Sequence, residues 1–239
     1  MDYLVAKAKN STKPPLLFLH GWGGNKDSFA FLKKAFYDRD LWFVSFAGHG
    51  DSAEPKTPMS VADFAADVLD FVDTHSIEKP DVVAHSFGGR VALVLFALHP
   101  EKFGRLLLVG AAGLRPKRAL KTKLKIPKFK IDKWLVGLKL KSKKCLENRG
   151  SADYNILSPV MRETFKKVVN ENLSKYAKMV KAETLLVWGE NDTETPLFMG
   201  KKLNKLIKNS ALVVLEGKSH FCFYEEPLRF ALILQNFFV

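Results

Sequence analysis

Two cysteines among 239 residues, Cys145 and Cys222, are too few for a disulfide framework, and no Cys/His spacing matches a zinc site. No apolar run approaches the roughly 18 residues that a membrane span needs. The opening residues, Met1-Asp2-Tyr3-Leu4-Val5-Ala6-Lys7, lack the apolar stretch of a secretory signal, and the apolar run at 16–19 is too short to supply one. These absences make the cytoplasm the expected compartment and leave no cofactor and no metal implied. Nothing repeats, and no recognisable nucleic-acid-binding motif accompanies the positive charge. With 47% hydrophobic residues, the chain is also too apolar to be disordered.

What is present is an alternation of strand and helix patterns in a chain of one-domain length. Strands are expected at 16–19, 41–46, 82–84, 106–109, 185–188 and 212–215, and helices near 26–36, 61–73, 89–98, 197–206 and 228–238. Ser60 is a natural N-cap for the helix at 61–73, with Asp63 reaching back as a short capping box. A mainly parallel sheet with helices on both faces follows, preceded by one or two short N-terminal strands. The alternation stops between about 114 and 181, where 159–169 has helical spacing. That interval reads as an insertion, so the expected layout is a core of 1–113 and 182–239 and a cap of 114–181.

The five residues Ala84-His85-Ser86-Phe87-Gly88 stand where the apolar strand Asp81-Val82-Val83-Ala84 runs directly into a helix. Such a turn strains the serine backbone and exposes its hydroxyl above the sheet edge. Strand and helix nearly touch there, so the residues two before and two after must be small, as Ala84 and Gly88 are. A serine nucleophile needs a base, usually a histidine oriented by a carboxylate. Asp192 follows the strand at 185–188, and His220 follows the strand at 212–215. In a parallel sheet the C-terminal strand ends share one edge, where Ser86, Asp192 and His220 converge. An oxyanion hole needs two backbone N–H groups. Phe87, directly after the serine, supplies one, and Trp22 in the loop His20-Gly21-Trp22-Gly23-Gly24 supplies the other.

On these motifs the chain resembles the α/β-hydrolase-fold serine hydrolases, from about Leu16 onward. The Gly48-His49-Gly50-x-Ser52, Gly189-x-x-Asp192-x-x-x-Pro196 and Gly217-x-x-His220 patterns carry the same resemblance. Ser45 stands where relatives often have an aspartate, and Ala84 replaces the commoner elbow glycine. The resemblance implies a carboxylic ester hydrolase working through a Ser86-His220-Asp192 triad and an acyl-enzyme. The loop at Trp22 and a small basic cap are similar to pimeloyl-acyl-carrier-protein methyl ester esterases and their carboxylesterase relatives. An acyl-carrier-protein methyl ester esterase or thioesterase, a carbon–carbon bond hydrolase, and a non-catalytic ligand-binding receptor of this fold remain open. Trp22, Phe87, Phe221 and Trp134 are expected to line the substrate pocket, whereas His49 and His85 read as structural.

The net charge of +13 is concentrated. Residues 114–149 hold 14 Lys/Arg against Asp132 and Glu147, a net +12, and leave the remainder near neutral. Three explanations compete: a solvated lysine-rich surface, docking of an acidic carrier protein near the pocket mouth, or a membrane or nucleic-acid surface.

Overall fold

The computed structural model describes residues 1–114 and 156–239. The chain runs β1 (Asp2–Ala6), β2 (Leu16–Leu19), a 3₁₀ helix (Lys26–Ala35), β3 (Leu41–Ser45), α1 (Val61–Thr74), β4 (Asp81–His85), α2 (Phe87–Leu98) and β5 (Leu106–Val109). It continues with α3 (Pro159–Asn170), α4 (Ser174–Met179), β6 (Thr184–Gly189), α5 (Phe198–Leu206), β7 (Ser210–Leu215), α6 (Cys222–Glu225) and α7 (Pro227–Phe237).

The seven strands form one sheet in the order β1-β3-β2-β4-β5-β6-β7. Only β1 is antiparallel, pairing with β3. This is the α/β-hydrolase fold. β2, β3, β4 and β5 are buried along their whole length, as expected of parallel strands covered on both faces. One layer of core joins α1, α2, α4 and α5 to the sheet, through residues such as Phe64, Leu95, Ala177 and Leu203. The other joins the 3₁₀ helix and α7, through Phe29, Leu32, Phe230 and Leu234.

β5 and β6 are hydrogen-bonded neighbours although a long interval separates them in sequence. The end of that interval packs on the core: Leu173, Ala177 and Val180 are buried. Glu171 Oε2 accepts the Val61 N–H at 3.1 Å, and Arg90 donates to the Glu171 carbonyl at 3.0 Å. Ser60 and Asp63 form the expected capping box on α1.

The helix expected near 26–36 is present at 26–35, as a 3₁₀ helix. Its fully buried residues Phe29 and Leu32 are three apart, the spacing that brings side chains into line in a 3₁₀ turn. Trp134 and the basic run at 115–149 lie outside the described residues, so the expected cap over the pocket and the carrier-protein reading rest on sequence alone.

Candidate active site

Ser86 sits between β4 and α2 with φ 48 and ψ −108, a conformation that costs a non-glycine residue about 1–3 kcal/mol. Hydrogen bonds hold it there. The Ser86 N–H donates to Val109 O at 3.1 Å, and the Ser86 carbonyl accepts from Gly89 at 3.1 Å and Ala112 at 2.9 Å. Gly88 lets the helix approach β2, donating to His20 O at 3.0 Å. A Cβ there would fall on the Leu19 carbonyl oxygen, 2.7 Å from its carbon and 2.8 Å from His20 O.

Asp192 and His220 meet across the loops after β6 and β7. His220 Nδ1 lies 2.8 Å from Asp192 Oδ2, and both residues are buried. Asp192 Oδ1 accepts the backbone N–H groups of Glu194 at 2.9 Å and Thr195 at 2.8 Å, which fixes the carboxylate plane. Burial opposes the charge on Asp192, but the hydrogen bonds from His220 and Thr195 outweigh it and hold the carboxyl below its usual range. A carboxylate accepting at Nδ1 makes that nitrogen the protonated one and leaves Nε2 free to accept.

Thr195 is a functional neighbour that sequence reasoning missed. Its buried hydroxyl lies 2.8 Å from Asp192 Oδ2, 2.9 Å from the Gly110 carbonyl and 3.2 Å from His220 Nδ1. It braces the acid against the loop after β5. Nothing in the sequence marks this role beyond its place before Pro196.

Ser86 and His220 line one cavity of about 410 Å³, together with Trp22, Phe165, Glu194, Phe221, Phe223 and Tyr224 among others. Trp22 and Phe221 border it. Phe87 does not: its side chain is buried against Phe46 and Phe64, at ring distances of 5.2 and 5.0 Å. The expectation that Phe87 lines the pocket is corrected, because the first turn of α2 aims that ring into the core. Only its backbone N–H remains available to the site. Neither that N–H nor the N–H of Trp22 has a hydrogen-bond partner among the described residues.

Three other histidines are held by backbone partners. His20 Nδ1 donates to Gly21 O at 2.6 Å while Nε2 accepts from the Phe46 N–H at 3.1 Å, an arrangement that needs the neutral ring. Burial first, and His49 second, push its pKa down to about 3. His85 donates to the His220 carbonyl at 3.2 Å, and burial likewise pushes it down to about 3. His49 donates to Ala47 O at 3.0 Å and packs edge-on against Trp22. Cys222, fully buried, has its thiol pushed up to about 12 by burial and by the nearby Asp192 charge, so it is no rival nucleophile. Ser45 also finds its role: its hydroxyl accepts from the Lys26 N–H at 3.0 Å and donates to Asp2, which in turn pairs with Lys26 at 2.7 Å. Among the described residues, no group of three side chains could hold a metal ion, and no helix is long and apolar enough to cross a membrane.

Residues 14–182 match the family model described as alpha/beta hydrolase fold. The chain is similar to the AB hydrolase superfamily protein YisY of Bacillus subtilis, with 26% identity over 93% of this chain and 91% of that protein. Among solved structures, an esterase from Exiguobacterium antarcticum has a TM-score of 0.76 at 20% identity, covering 98% of this chain and 94% of that one. A meta-cleavage product hydrolase from Pseudomonas fluorescens has a TM-score of 0.72 at 20% identity, covering 99% and 93%.

Proposed function

The chain belongs to the alpha/beta hydrolase fold family, and from that premise we propose that it is a serine hydrolase cleaving a carboxylic ester through an acyl-enzyme. One observation carries this reading. A strained Ser86 shares a cavity with His220, whose far nitrogen is bonded to a buried Asp192 at 2.8 Å.

In the proposed reaction Ser86 Oγ attacks the ester carbonyl carbon and His220 Nε2 takes the hydroxyl proton. Asp192 keeps the proton-bearing Nδ1 in place and stabilises the imidazolium that forms. The carbonyl oxygen becomes an oxyanion held by the Trp22 and Phe87 N–H groups. As the intermediate collapses, the C–O bond to the alcohol breaks and His220 returns its proton to the leaving oxygen. Water, deprotonated by the same Nε2, then attacks the acyl-serine and releases the acid.

The test is a screen of p-nitrophenyl esters of increasing acyl length beside acyl-thioesters and a carbon–carbon hydrolase substrate. Ester turnover in the wild type, with Ser86→Ala reduced to no more than about 10³-fold above the uncatalysed rate, supports the reading. Near-native turnover by Ser86→Ala rejects the nucleophile. Binding of such compounds with no turnover supports a receptor instead.

A further inference from the structure

The wall of the cavity has an uneven chemistry. Five of its residues are aromatic: Trp22, Phe165, Phe221, Phe223 and Tyr224. Trp22 and Phe165 are in ring contact at 5.1 Å, and so are Phe223 and Tyr224 at 4.4 Å. Among the described lining residues, Glu194 carries the one carboxylate, and no lysine or arginine lines the cavity. Glu194 Oε2 lies 3.5 Å from His220 Nε2, while its side chain is 61% exposed. Its position is set by neighbours that do other work, because its N–H is held by Asp192 and the next residue, Thr195, is anchored to Gly110.

The location of this carboxylate relative to the chemistry is informative. In ester hydrolysis Nε2 is the atom that hands a proton to the departing alcohol. A carboxylate 3.5 Å from that nitrogen therefore borders the path of the leaving group rather than the acyl chain. Among the described lining residues, aromatic faces and the Glu194 carboxylate are surroundings that attract an organic cation, since ring faces and carboxylate both favour positive charge. We propose that Glu194 is a specificity-determining residue that selects esters whose alcohol carries a cationic group, a protonated amine or a quaternary ammonium. The proposal rests on the ester-hydrolase reading above and narrows it to one substrate class.

The size of the effect follows from Coulomb's law. Two unit charges about 6 Å apart, in a half-open site of effective dielectric constant about 40, alter the rate ratio by about tenfold. The probe is a pair of esters of one shape and different charge, a choline ester and its 3,3-dimethylbutyl isostere. Both carry the acyl chain best cleaved in the p-nitrophenyl series. The quantity measured is the ratio of their kcat/KM values in wild type, Glu194→Gln and Glu194→Lys. The ratio is expected to fall about tenfold in Glu194→Gln and further in Glu194→Lys, and in the wild type alone to fall as salt is raised from about 0.02 to 0.5 M. A change in stability or in general activity moves both esters together and leaves the ratio in place. If the neutral ester is turned over but the ratio is the same in all three proteins and insensitive to salt, the proposal is overturned and the hydrolase reading stands. If neither ester nor any p-nitrophenyl ester is turned over by the wild type, the hydrolase reading falls and this inference with it.

Discussion

Replacing Asp192 by asparagine should disable the site while leaving the fold intact. An asparagine side-chain oxygen can keep the two backbone N–H bonds that Asp192 Oδ1 now accepts, from Glu194 at 2.9 Å and Thr195 at 2.8 Å. The amide nitrogen then takes the place of Oδ2, 2.8 Å from His220 Nδ1 and 2.8 Å from the Thr195 hydroxyl. It can donate to that hydroxyl, which still has the Gly110 carbonyl at 2.9 Å to receive its own proton. The fold is therefore satisfied, but the histidine is not. Two donors cannot face each other, so the ring moves its proton to Nε2 and accepts at Nδ1. Nε2 can no longer take the Ser86 proton. The analogous change in the trypsin-type triad lowers kcat by about 10⁴, or about 5.4 kcal/mol in the barrier. The assay is steady-state hydrolysis of the best p-nitrophenyl ester, with a thermal melt of each protein alongside. A loss below about tenfold, with Glu190→Gln inactivating instead, would refute the reasoning and move the acid to Glu190. The structure argues against that outcome, because Glu190 is occupied with the Gly217 N–H at 3.0 Å.

Two further outcomes concern stability. His20 and His85 are both pushed down to about 3 by burial, below the ordinary 6.5, so between those values the unfolded chain binds protons that the folded chain does not. Stability should fall as pH drops below about 6.5, by up to about 1.4 kcal/mol per pH unit for each histidine. Urea midpoints that stay constant from about pH 7.5 to 5 would contradict this. Asp192 adds its own loss only at lower pH, since a carboxyl held below the usual range destabilises the fold on protonation below about pH 4. Gly88→Ala should lose more than about 3 kcal/mol, because its methyl would meet backbone rather than a movable side chain. A urea midpoint equal to that of wild type would show that helix and strand can separate there without cost.

The sheet and the main parts of the site were legible because each rests on a local signal. The apolar runs at β2, β3 and β5 are buried end to end, so they show in the sequence as uninterrupted hydrophobic stretches. Ser86, Asp192 and His220 follow the strands β4, β6 and β7, and parallel strands bring their far ends to one edge. Other features are products of three-dimensional placement. Thr195 braces Asp192 against Gly110, 85 residues away in the chain, and no spacing rule foretells that hydroxyl's partners. The Phe87 ring was misplaced because an elbow motif fixes the backbone N–H but says nothing of which way the first helical side chain turns. Glu194 reads in sequence as an ordinary polar loop residue, and its meaning comes from the distance to His220. The 3₁₀ helix is a different case, because the threefold spacing of Phe29 and Leu32 was visible but also compatible with an α-helix.

The loop after β6 has one more consequence. Asp192 and Thr195 are buried, at 4% and 5% exposure, whereas the side chain of Glu194 between them is 61% exposed. Its backbone is fastened by Asp192 whatever its side chain is, since that bond uses only the N–H. Position 194 can therefore change in side chain without losing the backbone bond that holds Asp192. A change of charge there still reaches His220 Nε2, 3.5 Å away, so selectivity and the strength of the base are tuned together at this position. A saturation library at this one codon would show how far the two move in step.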